Sequence, residues 1–409
     1  MTPAVALGVA MFLPAFGTHG LTAGRASLAA SIGIDSGRWQ MALLMAVFAL
    51  ASVVAYGVTG SLGDRRGLRR GLLAGAVAYF LAHALLLVSA PLAAHLAWPP
   101  WILFLGLRLI AGLAGGAITV SANALGAALY PPVERGRSLS LVWLGVPLAL
   151  VIGVPLPGYL DGVWARLPEP IRPWCGEPYA AVAAAAGLVV LLLVPAAIPR
   201  NAVAEAGAEP APAARPPLPP LRATWWVYAI ALLLPLGVFP LIVSAEPYSE
   251  SEFRFGPAQR GHLFALLGAA SVAGGLVSGA IADRLGRRRS LLAAAGAFAL
   301  LTPLLPWCGA AAYVTLAALL GFVSTVRQGP FQALASFLAD RGGRGRLSAR
   351  VLISSQVGIS LGQFGGIALV RADSAGVSIG AVVACSTAAT TLAWLLARRL
   401  RDHAPAARA

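Results

Sequence analysis

Apolar stretches of about twenty residues recur along nearly the whole chain, near 4–24, 39–62, 71–91, 100–129, 138–160, 179–198, 225–247, 259–282, 290–307, 310–338, 349–370 and 376–397. A hydrocarbon layer about 30 Å thick takes about 20 residues of helix to cross. Inside it every peptide group must find its partner within the protein, which makes the α-helix the spanning form for runs of this length. Twelve membrane helices are therefore expected. Composition agrees, since 58% of the 409 residues are hydrophobic and 11% charged, with a mean hydropathy of +0.80. A soluble domain keeps about a quarter of its residues charged. The first stretch has no basic region before it and no small-residue cleavage site after it, so it reads as a retained helix.

The formal net charge is +15, from 30 basic against 15 acidic residues, and every basic residue is Arg. Such a surplus is one signature of nucleic-acid binding. These arginines instead fill short polar intervals between apolar stretches, the pattern that the positive-inside rule produces, so no nucleic-acid partner is expected. With the first helix running outward, one face holds 21 arginines and the other holds seven: Arg25, Arg38, Arg166, Arg172, Arg254, Arg260 and Arg371. The richer face is cytoplasmic, which places both termini in the cytoplasm and the chain in the inner membrane. Between the sixth and seventh stretches, Pro199 to Ala223 is rich in Ala and Pro without apolar periodicity and reads as a linker. The chain thus divides into a six-helix bundle at 1–198, a cytoplasmic linker at 199–223, a second bundle at 224–397 and a tail at 398–409. The fold class is an all-α membrane protein.

Cys175, Cys308 and Cys385 show no CxxC spacing and no neighbouring His, so zinc and iron–sulfur sites are excluded. Cys175 and Cys308 both fall near outer loops, where a disulfide has the right redox setting, although scattered membrane cysteines usually serve as small apolar residues. No HExxH motif or Walker loop is present and no carboxylates cluster within the apolar stretches, so neither an enzyme nor ATP-driven transport by this chain is expected, and no cofactor is implied.

One segment is repeated. After the second stretch the chain reads Gly60, Ser61, Leu62, Gly63, Asp64, Arg65, Arg66, Gly67, Leu68, Arg69, Arg70. After the eighth it reads Gly279, Ala280, Ile281, Ala282, Asp283, Arg284, Leu285, Gly286, Arg287, Arg288, Arg289. Asp64 and Asp283 are 219 residues apart, about half the chain, as duplication of a six-helix unit would produce. Gly67 and Gly286 permit a tight turn, the arginines hold the loop at the anionic inner leaflet, and an aspartate beside a helix N-terminus is stabilised by the dipole.

This GxLADRxGRRxxL-type loop, together with the helix count and the linker, resembles the signature of the major facilitator superfamily. The second copy matches at nearly every position; the first departs at Leu68 and Gly63. By that resemblance, Asp64 would sit at the start of the eleventh helix near Ser348 and Asp283 at the start of the fifth near Ser138, latching the inner ends of the halves together. Arg108 with Gly112, Gly115 and Gly116 resembles the family's RxxQGxG run, with Ala111 in place of the glutamine. The fifth helix, with Gly145, Pro147, Gly153, Pro155, Pro157 and Gly158, resembles the Gly–Pro stretch of drug and proton antiporters, with Val154 and Tyr159 where glycines are usual. The resemblance implies a drug or sugar efflux branch, alternating access and a site near the midplane.

An Arg inside a membrane costs at least about 2.5 kcal/mol on insertion scales and normally faces a cavity or a partner. Arg108 and Arg327 are both of this kind, and Gln328 and Gln332 follow Arg327 closely. Asn123, Gln356 and Gln363 are further polar groups for substrate contact or helix–helix hydrogen bonds. Glu246 is the one acidic residue within a predicted helix, and with His19 of the first helix and His83 of the third it makes three candidates for proton coupling. Two arginines against one acid point to a substrate with negative or electron-rich groups. Arg108 lies eight residues from the outer end of its helix and Arg327 seventeen from the outer end of its own, so successive roles are expected, with Glu246 pairing Arg108 when the site is empty. The expected activity is proton-coupled efflux of a small organic solute by a monomer; a uniporter, an organic-anion exchanger or importer, and a transporter-like sensor are the alternatives.

Topology is directly testable. Cys introduced by Glu169→Cys should react with a membrane-impermeant thiol reagent in intact cells, and Gly63→Cys should not; the reverse pattern would invert the chain.

Overall fold

The computed structural model describes residues 2–21, 25–34, 39–130, 141–153, 155–156, 159–160, 166–168, 178–198, 221–337, 344–372 and 379–400. Ten helices among these are long and apolar enough to cross a membrane, and two shorter apolar helices, Pro3–His19 and Leu141–Gly153, complete the expected twelve. The first half comprises α1 (Pro3–His19), α2 (Trp39–Arg66), α3 (Leu68–Leu87), α4 (Pro100–Ala128), α5 (Gly145–Leu148, continued by a π turn at Ala149–Gly153) and α6 (Pro178–Ala197). The second comprises α7 (Leu221–Leu236 and Phe239–Phe253), α8 (Pro257–Leu285), α9 (Arg287–Leu301), α10 (Ala310–Val326 and Gln328–Phe337), α11 (Arg344–Ala372) and α12 (Gly380–Ala397). Proline opens α1, α4 and α8, where its fixed φ suits the first turn and its missing N–H is not needed.

Three of the expected helices are not continuous. α7 stops at Leu236 and resumes at Phe239, because Pro235 and Pro240 remove two amide donors. The Val238 amide turns back to the Pro235 carbonyl at 2.9 Å, which releases the Leu234 carbonyl from the helical ladder. α10 breaks at Arg327, just ahead of Gly329 and Pro330, and α5 loosens into its π turn ahead of Pro155. The first span ends at His19, earlier than the stretch 4–24 implied, and Arg25–Ser31 forms a separate short helix.

Within the first bundle α2 and α3 both pack on α4, and α1 and α3 on α6; within the second, α8 and α9 pack on α10, and α7 on α11. The bundles meet along α2 with α11 and along α5 with α8. Val243 of α7 and Ile367 of α11 join the hydrophobic core of the first bundle, and Leu150 of α5 joins that of the second.

Both copies of the repeated loop turn in the same way. Gly67 has φ 89° and ψ 131°, and Gly286 has φ 85° and ψ 144°, a region that costs a residue with a Cβ about 1 kcal/mol or more. Two residues beyond each glycine, an Arg reaches the end of the neighbouring helix. Arg69 Nε donates to the Ile198 carbonyl at 2.7 Å, one residue past α6, and Arg288 Nη2 donates to the Arg398 carbonyl at 2.7 Å, one residue past α12. A cation at a helix C-terminus satisfies an orphan carbonyl and complements the dipole, so each copy of the repeat caps the helix that ends beside it. The side chains of Asp64, Asp283 and Ser348, and Ser138 as a whole, lie outside the described residues, and the expected latch lies with them. Cys308 and Cys385 are free thiols; Cys175 lies outside the described residues.

Arg69→Gln and Arg288→Gln should each lower stability by about 0.5 kcal/mol and speed hydrogen exchange in the last turn of α6 or α12 respectively, leaving the other bundle unaffected. Equal exchange in variant and parent would remove the capping role.

Candidate functional site

α4 lies directly on α2 because glycines face it. A Cβ on Gly112 would come within 2.4 Å of the Phe48 carbonyl oxygen, and one on Gly116 within 2.8 Å of the Ser52 carbonyl oxygen. Ser52 Oγ fastens the pair by donating to the Gly112 carbonyl at 2.9 Å. One turn before Gly112, Arg108 enters the interior of the first bundle, where it is 0% exposed. Its Nε donates to the Leu44 carbonyl at 3.1 Å, and its Nη1 donates to the Gly17 carbonyl at 2.8 Å and the Tyr179 hydroxyl at 2.7 Å. The guanidinium carbon also lies 5.2 Å from the centre of the Phe48 ring. Tyr179 continues the network to His83 Nε2 at 3.1 Å, and His83 Nδ1 meets the Tyr79 carbonyl at 2.8 Å. The Tyr79 hydroxyl donates to the Leu13 carbonyl at 2.8 Å. One guanidinium therefore ties α1, α2 and α6 around α4, and His83 has both ring nitrogens engaged.

Arg327 is 2% exposed and belongs to the second bundle in the same sense. Its Nη2 donates to the Leu234 carbonyl, the one released by the break in α7, at 2.8 Å. Its guanidinium carbon lies 4.5 Å from the centre of the Phe298 ring of α9, and its Nη1 has no hydrogen-bond partner. Arg108 bonds five residues into α2, at the end remote from Gly67, whereas the peptide beside Arg327 is held by Ser278, eight residues before Gly286. The bonds and ring contacts of each nevertheless stay within its own bundle, which departs from the expected path between bundles.

The seam between the bundles carries other side chains. His19 is buried at the end of α1 with its ring stacked on Phe239 of α7, centres 5.0 Å apart, and its Nδ1 has no partner. Gln363 Nε2 of α11 donates to the Thr18 carbonyl at 3.0 Å. Further along α2 towards Gly67, the Tyr56 hydroxyl lies beside the side chains of Thr119 of α4 and Gln356 of α11. A glycine brings the helices close across the seam: a Cβ on Gly268 of α8 would meet the Val151 amide nitrogen of α5 at 2.5 Å. Just past α5 on the same seam, the ring of Tyr159 approaches that of His262 of α8, centres 6.0 Å apart.

Glu246 does not pair with Arg108. It lies 3.7 Å from Arg260 Nη1, on the neighbouring helix α8, and Arg260 also bonds Glu250. Acid and base of adjoining helices close this pair locally, where Arg108 is already held by carbonyls. Asn123, Gln328 and Gln332 are half-buried. No group of three or more His, Cys, Asp or Glu that could hold a metal occurs among the described residues. Tyr56, Tyr79, Tyr179 and Phe239 escaped the sequence reading; an aromatic ring within an apolar run looks like core, and only the hydroxyl of a Tyr signals a polar partner.

A family model described as Major Facilitator Superfamily matches residues 4–363. The chain is 25% identical over 317 residues to the uncharacterized MFS-type transporter YwfA of Bacillus subtilis (strain 168), spanning 76% of this chain and 74% of that one. It is 30% identical over 277 residues to the 3-(3-hydroxy-phenyl)propionate transporter of Escherichia coli (strain K12), spanning 65% and 60%. The crystal structure of a D-xylose-proton symporter superposes with a TM-score of 0.73 at 14% identity, covering 98% of this chain and 97% of that one. An inward-open structure of the xylose transporter XylE from E. coli gives 0.71 at 13%, covering 99% and 96%. At these identities the structural likeness establishes the fold.

Tyr179→Phe removes the hydroxyl between Arg108 and His83 and should destabilise the protein by about 2 kcal/mol, since a bond to a buried charge is lost. A lower unfolding temperature with unchanged KM is the expected result. A raised KM at unchanged stability would move Tyr179 into the substrate path.

Proposed function

The chain belongs to the major facilitator superfamily, and from that premise we propose that it is a secondary transporter that moves a small organic solute by alternating access, with the solute taken at the seam between the bundles. The observation that carries this reading is the contrast between two kinds of buried polar group. The arginine networks tie helices within a bundle, so they stay intact when one bundle rocks against the other. The contacts of Gln363 with Thr18, of Gln356 with Tyr56 and of His19 with Phe239 cross the seam, so each must break when it opens.

Flat rings and side-chain amides suit a solute with an apolar, planar part and hydrogen-bonding groups. The relative whose name specifies a hydroxylated aromatic propionate is consistent with that class. We further propose that His19 is the proton-coupling group. It is on the seam with an open ring nitrogen, while His83 is engaged on both sides and Glu246 lies against Arg260. The ionisable groups on elements packed near the end of α1 are Arg108, bonded to the Gly17 carbonyl, Tyr179, stacked on Phe16, and Glu246, two turns along α7 from Phe239. The export reading of α5 loses its main support, because its glycines serve α1: a Cβ on Gly145 would come within 2.1 Å of the Gly8 carbonyl oxygen, and one on Gly153 within 2.4 Å of the Phe16 ring.

Counterflow in proteoliposomes with a panel of aromatic and aliphatic carboxylates, sugars and neutral aromatics should identify an exchanged solute, and an imposed pH gradient should drive its accumulation. In His19→Gln, counterflow should persist and gradient-driven accumulation should fall at least tenfold. Accumulation at the parental level in that variant would place coupling elsewhere, and a parent that exchanges no solute would favour a sensor.

A further inference from the structure

We propose that the second bundle contains a small-anion site between α7, α9, α10 and α12, built from Arg327, Ser386 and Thr390. The site goes beyond the proposed transport function and lies off the seam.

The first bundle shows what a buried guanidinium needs. Arg108 places Nε and Nη1 on two backbone carbonyls and the Tyr179 hydroxyl of α6, leaving Nη2 alone without a partner. Arg327 has the Leu234 carbonyl and the face of Phe298. Its Nη1 is left without a partner inside the membrane, and among the described residues no carboxylate pairs with it. A charge in that position calls for a counter-charge.

The walls around Arg327 can be read from its contacts. It enters from α10, touches α7 at Leu234 and α9 at Phe298, and α12 packs on both α7 and α9, closing the fourth side. On that side Ser386 and Thr390, one turn apart, are both 0% exposed with hydroxyls that have no partner. A Cβ built on Gly237, one turn along α7 from Leu234, would come within 2.2 Å of Thr390 Oγ1, so this hydroxyl lies at the α7 break. The heights agree: Phe298 is eleven residues from the inner start of α9 and Ser386 eleven from the inner end of α12, which at 1.5 Å per residue puts both roughly 16 Å from the inner rim.

Both hydroxyls lack a partner, as do those of Ser121 and Thr387. Thr18, Thr119, Ser271, Thr302 and Ser360 each donate to the carbonyl four residues back, the usual fate of a helical Ser or Thr in a membrane. Ser386 and Thr390 keep their protons available. A buried N–H on α10 and two buried O–H donors on α12, all without partners and all beside the α7 break, match a monovalent anion, either a halide from solution or the carboxylate of a transported solute.

The test is thermal unfolding of the full chain in detergent, in sodium chloride and in sodium gluconate of equal ionic strength, and separately with a carboxylate solute that counterflows. Binding only to the folded state should raise the unfolding temperature by roughly 5 °C at saturation. A rise with chloride identifies a halide site; a rise with the solute alone identifies its carboxylate. Ser386→Ala with Thr390→Val, which removes only the two hydroxyls, should shift the half-saturating concentration upward at least fivefold, and Arg327→Gln should abolish the response. A parent that responds to neither anion, or a response of undiminished affinity in the hydroxyl double variant, overturns the site. Neither result bears on counterflow by the parent, which tests the transport reading independently.

Discussion

Inside a bilayer no water is at hand to complete a hydrogen bond, and the rest of the structure follows from that shortage. It makes the backbone helical over each span. It also decides the fate of the two membrane arginines, which are enclosed by carbonyls, hydroxyls and ring faces rather than left in an open path. Arg108 shows the fuller solution, with Nε and Nη1 bonded to groups on three different helices and Nη2 left over. Where a helix breaks, as α7 does between Pro235 and Pro240, the carbonyl it releases is taken at once by Arg327. Broken backbone and buried charge stabilise each other there, since either alone would leave a polar group in hydrocarbon.

Duplication accounts for the shared frame, and divergence for the differences within it. Gly67 and Gly286 turn alike, and Arg69 and Arg288, 219 residues apart like the aspartates, cap equivalent helix ends. The interiors have drifted. Tyr79 and Phe298 stand at the same offset, yet Tyr79 bonds α1 while Phe298 lies under a guanidinium. The repeated loops therefore set how each bundle is assembled at its inner rim, and the unrepeated residues set what each bundle holds.

Much of this was legible in the sequence because it depends on counting. Span number, the halves and the repeated turn follow from apolar length, Arg placement and glycine position, all local quantities. The breaks in α7 and α10 were less so; Gly329 and Pro330 marked one, while a proline in a membrane helix does not by itself say whether the helix bends or stops. The site was legible as a set of residue types, but not as a map. Arg108, Arg327 and Glu246 were visible as expensive groups, and nothing in a single chain says that Glu246 would meet Arg260 or that each Arg would turn inward to its own bundle. His19 and Gln363 gained significance only when folding put them opposite the other half, 220 and 345 residues from Phe239 and Thr18 respectively.

The central claim is that the seam opens and closes in every cycle while each bundle moves as one body. It can be tested by tying the seam shut in a chain whose three cysteines are replaced by serine. With Thr18→Cys and Gln363→Cys joined by a short, reducible bifunctional reagent, counterflow should fall to background and return on reduction. Counterflow that continues with the pair fully cross-linked would contradict the account, because solute would then be crossing without separation of the bundles at that point.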